Sequence, residues 1–410
     1  PRLRAARHQD GIMGVSSYME TKNSVGNSTI HPLETGSLPT SPGVNPSPLV
    51  MTFKDVTNSY KHLFFRTLLR LGIRQARQEI GFAEIAVGMM EEAWWPGFHC
   101  RLHFGKQDPI VKFIEESVDV TMLRRNPQGI TAHLWHAVDP CLKHQLLRYV
   151  PQRFLRPWFR DETSGFPDSR VDKLVRQLSH DRFNSARPMF RIGDGDIVFH
   201  PAWFDYLQEN IAIICGWSDS QWLRFLERRN PSVPGLVEKI TPDSARTALT
   251  DQRKLWATLI KQQPILSIYT DRPIDADSFD LDHFIPRSFV SHDRFWNLVP
   301  CEPDINQNKS DWLPRLEPYV TRLAEQHGAM AQYAVSLTGH NAQTWQKVQD
   351  EFAADFRFSE EQLCNIEQLT ANYRDIFSGL AGCARRMGFP EDWQPAINLT
   401  RTEESPLPSN

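Results

Sequence analysis

Apolar residues recur at helical spacing over most of this chain, and the clearest example is the segment 58–77. Its apolar side chains fall on one face of a helix, and arginines are interleaved between them. The same spacing predicts further helices over 82–95, 108–117, 202–229, 243–263, 316–338, 343–355 and 359–387. This pattern is typical of a largely helical protein.

Two segments depart from helical spacing and predict strands. Residues 188–210 contain two short apolar stretches around the turn Gly193-Asp194-Gly195-Asp196, a pattern that predicts a small β-hairpin leading into a helix. Residues 280–314 carry strand, loop and helix signals in succession. The expected fold class is therefore α+β, with the second strand-bearing segment embedded in helical surroundings.

Composition and turn residues divide the chain into five parts. Residues 1–49 are rich in Ser, Thr, Asn, Gly and Pro, which predicts a disordered tail. A mainly helical domain is expected over 50–263, and its end is marked by the turn residues at 230–235 and by Pro264. A small module over 264–315 follows, then a helical region over 316–398 and a second disordered tail over 399–410.

Overall composition adds little to this picture. The 410 residues are 40% hydrophobic, enough to bury more than one core. No apolar run approaches the roughly 20 residues of a membrane span, and no signal peptide is expected. Six cysteines without short pairing distances indicate reduced thiols in a cytoplasm. The net charge of −3 is no sign of nucleic-acid binding, so such binding must come from local clusters.

Candidate chemistry is concentrated between Asp280 and Pro314. The carboxylate of Asp282 is a hard ligand suited to Mg²⁺ or Mn²⁺. His283 is its neighbour, and adjacent residues of a strand point to opposite faces, so one can hold metal while the other faces water. An imidazole with an ordinary pKa near ~6.5 accepts a proton at neutral pH, which makes His283 the best general base in this segment.

Three residues further along complete this group. Asn297 precedes a short apolar strand, where its amide can tie two backbone segments together and fix the loop that carries the histidine. Asn306 falls near the start of a helix expected from Asp304 onward, and its carbonyl can supply a second oxygen ligand. Lys309 lies three residues on, where its ammonium could meet a phosphate. Together these residues predict a metal-dependent nuclease site.

The spacing of Asp282, His283, Asn297 and Asn306 resembles the ββα-metal finger of HNH endonucleases. It is most similar to the HNH domain of CRISPR effector nucleases, which it also resembles in the Lys-Ser-Asp that precedes Pro314. The resemblance implies one divalent cation bound by Asp282 and Asn306, water activated by His283, and a histidine oriented by Asn297. It also implies cleavage that leaves a 5′-phosphate and a 3′-hydroxyl.

The chain departs from this family at the zinc that braces many of its members. Two Cys-x-x-Cys pairs hold that zinc in those proteins, but here the upstream pair is replaced by Ser267 and Thr270, and Glu302 and Ile305 occupy the downstream positions. A structural zinc needs four sulfur or imidazole ligands, so no zinc is expected. Apolar neighbours are expected to brace the finger instead: Ile268, Tyr269, Phe284, Phe289 and Trp296.

A basic segment at 142–160 is the best candidate for contacts with phosphates. Arginines can bind phosphates bidentately, and interleaved aromatic rings can stack on unpaired bases. An ordinary helix with solvated arginines and core aromatics is an equal alternative. The candidates for nucleic-acid binding are Arg148, Arg153, Arg156 and Arg160, with Arg287 from the loop after His283.

The sequence favours a Mg²⁺-dependent or Mn²⁺-dependent DNA endonuclease or nickase, with the helical 50–263 region as a DNA-binding or regulatory domain. A single finger cuts one strand, and the oligomeric state is left open. One alternative is a nucleic-acid-binding component of a larger complex in which the finger is structural, and another is an RNA-cutting toxin. The flanks also resemble prokaryotic HNH proteins of anti-phage defence, which suggests an effector working with partner proteins.

Overall fold

Two hydrophobic cores organise the chain over the residues that this computed structural model describes: 38–54, 56–105, 108, 110–117, 134–135, 146–240 and 248–396. Buried side chains between Leu38 and Ile240 form the first core. Those between Leu255 and Trp393 form the second. Helices predominate in both, and each core includes one small antiparallel sheet, so the α+β class is confirmed.

Ten helices contribute to the first core over the residues that the structure describes. They are α1 (Ser47–Thr52), α2 (Tyr60–Leu68), α3 (Phe82–Ala93), α4 (Ile110–Ser117), α5 (Val150–Leu155), α6 (Arg160–Thr163), α7 (Asp168–Asp181), α8 (Pro201–Glu209), α9 (Ile211–Glu227) and α10 (Leu236–Lys239). Two of them continue into π-helical turns, at Leu69–Ile73 and Trp94–His99, and a 3-10 turn spans Arg156–Phe159.

The sheet of the first core contains three strands in the order β1, β3, β2. Strand β2 (Phe190–Ile192) and strand β3 (Asp196–Phe199) form the hairpin that the sequence predicts. The outer strand β1 (Glu79–Gly81) pairs with β3 and was not predicted. Strand β1, which ends directly before α3, has three residues and is too short to show an alternating pattern in the sequence.

The second core surrounds the segment with the candidate chemistry. Its helices are α11 (Thr250–Gln262), α12 (Arg287–Val290), α13 (Pro303–Lys309), α14 (Leu316–Ala334), α15 (Gly339–Phe356), α16 (Glu360–Cys364) and α17 (Ile366–Arg386). Strand β4 (Asp280–His283) pairs with strand β5 (Leu298–Cys301), and a 3-10 turn spans Phe295–Asn297. Strand β4, strand β5 and α13 form the ββα finger.

Aromatic side chains hold the finger among the helices of this core. Phe284 meets Phe377 of α17 edge to face at 4.9 Å between ring centroids, and Phe295 stacks on Trp256 of α11 at 5.3 Å. Such pairs add about 0.5–1.5 kcal/mol each to the area they bury. The five residues expected to brace the finger are all buried in this core: Ile268, Tyr269, Phe284, Phe289 and Trp296.

A buried lysine connects the first core to the finger. The ammonium of Lys239, at the end of α10, donates to the carbonyl of Phe289 at 2.6 Å and to that of Pro234 at 2.7 Å. Burial lowers the pKa of Lys239 to about 8. Because Phe289 lies in α12, between the two strands of the finger, this contact fixes the intervening loop against the first core.

Two of the long predicted helices are broken by an asparagine. At Asn210, between α8 and α9, the side-chain amide donates to the carbonyl of Tyr206 at 2.9 Å and the backbone leaves helical geometry. At Asn365, between α16 and α17, the side chain caps the new helix by accepting from the amide of Gln368. Both asparagines fall at positions where an uninterrupted helix would have a polar residue, so the apolar spacing alone does not reveal the break.

The expected disordered tail over 1–49 needs correction at its end. Leu38, Val44 and Leu49 are buried in the first core, and α1 begins at Ser47. A few apolar residues are enough to anchor this otherwise polar stretch. Residues 1–37 and 397–410 lie outside the described residues, and no described helix is long and apolar enough to cross a membrane.

Acid should destabilise this fold through a buried histidine. His327 of α14 accepts from the hydroxyl of Tyr373 and donates to the carbonyl of Leu298 in β5, and burial lowers its pKa to about 4. Because the unfolded chain binds this proton near pH ~6.5, stability falls as the pH drops from 6.5 towards 4. We expect this residue alone to lower the free energy of unfolding by about 2 kcal/mol between pH 7 and pH 5.

Urea unfolding at both pH values measures this loss. The variant His327→Gln should lose less stability than the original protein over that interval. The control is His340→Gln, since His340 is exposed, and it should keep the original pH dependence. Equal losses in His327→Gln and the original protein would show that the buried imidazole is not responsible.

Candidate active site

The finger brings together candidate site residues from strand β4 and from helix α13, which follows strand β5. Asp282 pairs with Val299 and His283 with Leu298 in the β4–β5 ladder. Glu302 is extended and is followed by Pro303 at the first turn of α13, where proline suits a helix start. The short strands and immediate helix therefore bring Asn306 and Lys309 back against β4.

A buried ion pair lies at the centre of the finger. The ammonium of Lys309, wholly buried, is 3.1 Å from the carboxylate of Asp282 and donates to the carbonyl of His283 at 2.7 Å. Tyr269 donates its hydroxyl to the same carboxylate at 2.6 Å. Burial, followed by the nearby Asp282 charge, raises the pKa of Tyr269, so the phenol stays protonated and able to donate.

This arrangement differs from the roles expected for Asp282 and Lys309. Lys309 has no exposed surface from which to meet a phosphate, because it faces into the finger. Asp282 is only 3% exposed, and both oxygens of its carboxylate already accept hydrogen bonds. In this structure the pair joins α13 to β4 and holds the backbone of His283.

An open carboxylate lies two residues earlier on the same strand. Asp280 shares the face of Asp282, because side chains alternate along a strand. Its side chain is 38% exposed, and one oxygen is 3.2 Å from the amide nitrogen of Asn306. The other oxygen is 3.2 Å from the guanidinium of Arg253 on α11. Asn306 thus donates a hydrogen bond to Asp280 rather than to Asp282.

The oxygens at this open edge fit a hard divalent cation. Asp280 supplies a carboxylate, and a half-turn of the Asn306 amide would present its carbonyl oxygen in place of the nitrogen. Magnesium keeps several waters and needs only one or two carboxylates from a protein. Among the residues that the structure describes, no group of three His, Cys, Asp or Glu side chains could hold a metal.

His283 forms a hydrogen-bonded pair with a carboxylate from the loop. Its Nε2 lies 2.8 Å from Asp293, which also accepts from the guanidinium of Arg287 at 2.8 Å. Burial would raise the pKa of Asp293, but the hydrogen bonds from His283 and Arg287 outweigh it and lower the pKa to about 2. Asp293 is therefore ionised at neutral pH, and Nε2 of the imidazole is the natural donor to it.

Asn297 ties the ends of the loop together. Its side chain is fully buried, accepts from the amide of Ile285 at 2.8 Å and donates to the carbonyl of the same residue at 2.8 Å. Its own carbonyl accepts from the amide of Phe284 at 2.8 Å. These contacts fix the backbone immediately after His283, and they leave Asn297 no exposed atom with which to touch a substrate.

Two hydroxyl groups donate hydrogen bonds to one carboxylate at the base of the finger. Ser267 donates to the carboxylate of Glu302 at 2.7 Å, and the hydroxyl of Thr270 donates to the other oxygen of the same carboxylate. These are three of the positions at which the resemblance to HNH endonucleases would place zinc-binding cysteines. The turn 267–270 is thus attached to the finger through Glu302 and, by way of Tyr269, through Asp282.

The arginines expected to bind nucleic acid lie in two different places. Arg287 donates to Asp293 beside His283, so its guanidinium supports the His283–Asp293 pair. Arg153, Arg156 and Arg160 are exposed on the first core, and Arg148 and Arg153 both stack on the exposed ring of Tyr149 at 4.9 Å. Phe154 and Phe159 are fully buried, so those aromatics are core and cannot stack on bases. Lys143 lies outside the described residues.

Sequence reasoning missed three residues of this site. Asp280 had a usable signal, because it is two positions from Asp282 and alternates onto the same face. Asp293 carried no usable signal, because its contact with His283 depends on the path of the loop. Arg253 lies on a helix outside the finger, and only the packing of α11 brings it to Asp280.

Comparison with known proteins identifies a family for these residues. Residues 267–315 match the family described as HNH endonuclease. This range begins at Ser267, covers both strands and α13, and ends just after Pro314. A search of curated proteins and a search of solved structures found no match to this chain.

The buried pair should be energetically coupled. Removing one partner, as in Asp282→Leu or Lys309→Met, leaves the other charge buried and should lower the free energy of unfolding by about 3–5 kcal/mol. The double variant should lose much less than the sum of the single variants, because it leaves no unpaired charge. Urea unfolding of the four proteins measures this double-mutant cycle.

An exposed ion pair provides the matched control. Lys112 and Glu116 are 3.5 Å apart, with side chains 72% and 59% exposed, so Lys112→Met should change stability by less than about 1 kcal/mol. If the costs of Asp282→Leu and Lys309→Met simply add in the double variant, the two side chains do not act as a pair.

Proposed function

We propose that this protein is a metal-dependent DNA endonuclease or nickase, because residues 267–315 form an HNH endonuclease domain and a nuclease is the activity of that family. The observation that carries the proposal is the His283–Asp293 pair on β4, the strand that also carries the open carboxylate of Asp280. A base and a hard oxygen ligand are the two groups that hydrolysis of a phosphodiester needs.

His283 acts as the general base in this proposal. Its hydrogen bond among the described residues is made by Nε2, which leaves Nδ1 to accept a proton from water. The resulting hydroxide attacks phosphorus, the bond to the 3′-oxygen breaks, and that oxygen takes a proton, leaving a 5′-phosphate and a 3′-hydroxyl. The ionised carboxylate of Asp293 favours the imidazolium formed in this step.

Asp280 and Asn306 are the proposed ligands of the divalent cation, Mg²⁺ or Mn²⁺. When bound, the cation would neutralise charge on the scissile phosphate and on the departing oxygen. Asp282, the ligand expected from the sequence, is committed to Lys309 and Tyr269, so the proposal gives it the task of holding β4 against α13. Asn297 and Lys309 become positioning residues for the backbone of His283.

The proposed substrate is DNA, and the four arginines 148, 153, 156 and 160 are its proposed contacts on the first core. One finger carries one site, so a monomer would nick one strand and a double-strand cut would need two events or a dimer. RNA is chemically accessible to the same residues. A role in defence against phage, with partner proteins, is supported only by the resemblance of the flanking sequence to such proteins.

Loss of the base should abolish nicking. Supercoiled plasmid is incubated with the purified protein and Mg²⁺, Mn²⁺ or EDTA, and open-circular product is measured by gel. We expect metal-dependent open circles, with the rate lowered on the order of 10²–10⁴-fold in His283→Ala. The control His340→Ala should cut like the original protein, because His340 is exposed on helix α15, outside the finger.

The outcomes separate the three functions. Equal cutting by His283→Ala and the original protein would contradict the proposed mechanism. A parallel arm with structured RNA tests the toxin alternative, which gains if RNA is cut and plasmid is not. DNA binding by gel shift without any cutting would favour the alternative in which the finger is structural.

Replacing the partner of the base should affect turnover more than binding. In Asp293→Asn the neutral amide can still meet His283, but it no longer offsets the charge of the imidazolium. We expect kcat for nicking to fall by on the order of 10²-fold, with KM for plasmid unchanged. The control is Asp277→Asn, an exposed carboxylate outside the finger strands. A fall in folding stability with unchanged kcat would assign Asp293 a structural role only.

A further inference from the structure

Three cations converge on the first core at a place outside the finger that carries the proposed hydrolysis. Lys61 of α2, Arg153 of α5 and Arg156 line two neighbouring cavities, one of about 310 Å³ and one of about 380 Å³. We call these three side chains the cationic wall. The packing of α2 against α5 brings them together, since Phe64 and Phe154 meet at 5.3 Å between these helices.

Positive charge on the cationic wall is only partly balanced. Arg156 binds Asp168 at 3.0 Å, but that carboxylate is 63% exposed. Arg153 is 3.8 Å from Asp172, beyond hydrogen-bond distance, and Lys61 donates to the carbonyl of Thr52 at 3.2 Å. Among the described residues, therefore, three cations share one close carboxylate, which solvent screens.

The half-buried Lys61 is affected by this imbalance. Burial lowers the pKa of Lys61, and repulsion from Arg156 and Arg153 lowers it further. The charge of Lys61 is thus less favourable in the folded protein than in water, and a bound anion would offset this. A phosphate is the anion that a lysine and two arginines recognise best, because guanidinium groups bind its oxygens bidentately.

The two cavities differ in their other walls. The smaller one is lined by Tyr60, Tyr149 and the apolar side chains of Val56, Leu146 and Val150, surfaces suited to a base. The larger one is lined by the hydroxyls of Thr163 and Ser164 and by Gly165, surfaces suited to a sugar. The cationic wall borders both, so a phosphate bound there could join a nucleoside in one cavity to a nucleoside in the other.

We propose that Lys61, Arg153 and Arg156 bind a phosphodiester step of single-stranded nucleic acid, with one base in the cavity beside Tyr149. A duplex is too wide for cavities of this size, and a free nucleotide would fill only one of them. The proposal rests on the proposed function for the class of ligand, because a nuclease handles strands. It assigns binding of the strand to one pocket rather than to all four arginines of the first core, and it adds Lys61 to the binding residues.

Binding of a fluorescent oligothymidine by the full-length chain tests this pocket. Anisotropy is measured in EDTA, so that no cleavage occurs, at several salt concentrations. We expect Lys61→Gln/Arg153→Gln to weaken binding at least 10-fold and to reduce the salt slope by about 0.7, since one neutralised phosphate on a single strand contributes about 0.7. The control Arg182→Gln removes an exposed arginine paired with Glu162 on the same core and should stay within twofold.

A second variant keeps the proposal falsifiable if the first folds poorly. Tyr149→Ala removes the stacking ring without changing charge, so it should weaken binding at least fivefold, as expected for the loss of one stacked base worth about 1–3 kcal/mol, and leave the salt slope unchanged. Unchanged affinity in both variants would overturn the pocket. Competition by thymidine monophosphate as strong as by the dinucleotide TpT would also overturn it, in favour of a free-nucleotide site.

Failure of the pocket and failure of the proposed function give different results. A protein that binds the oligonucleotide through the cationic wall but never nicks plasmid with Mg²⁺ refutes the nuclease and leaves the pocket standing. A protein that nicks plasmid, while its Lys61→Gln/Arg153→Gln variant binds oligothymidine like the original, refutes the pocket alone.

Discussion

The buried contact between Lys309 and Asp282 is the interaction on which the finger depends. It joins the last turn of α13 to β4, and the same ammonium holds the carbonyl of His283. Two buried charges carry a desolvation cost that only good geometry and further hydrogen bonds offset, and the hydroxyl of Tyr269 supplies one of these. The contact therefore contributes to stability and, at the same time, fixes the backbone of the proposed base.

Alternation along one strand gives two carboxylates different tasks. Asp282 faces the buried lysine, whereas Asp280, two residues earlier and nearer the open edge, meets Asn306 and Arg253. Ser267 and Thr270 bind Glu302 at the base of the finger, where related fingers use zinc. Hydrogen bonds between hydroxyls and carboxylates, together with aromatic packing from α11 and α17, thus perform the bracing without cysteines.

The sequence was informative where chemistry is local and less so where it depends on packing. Strand, loop and helix signals located β4, β5 and α13, and the spacing of His283 and Asn306 identified the family. Asp293 and Tyr269 act across 10 and 13 positions, through loop and turn conformations that no periodicity encodes. Lys309 was assigned to a phosphate because a lysine at the end of a short helix can face outward or inward, and only the surrounding core decides.

The position of a bound cation would test the central claim, that this ββα finger presents a one-metal site at its open edge. Crystals soaked in Mn²⁺ and measured at the manganese absorption edge would locate the ion directly. The account predicts one anomalous peak in the finger, in contact with Asp280 and Asn306. A peak elsewhere, or none in the finger at saturating Mn²⁺, would contradict it.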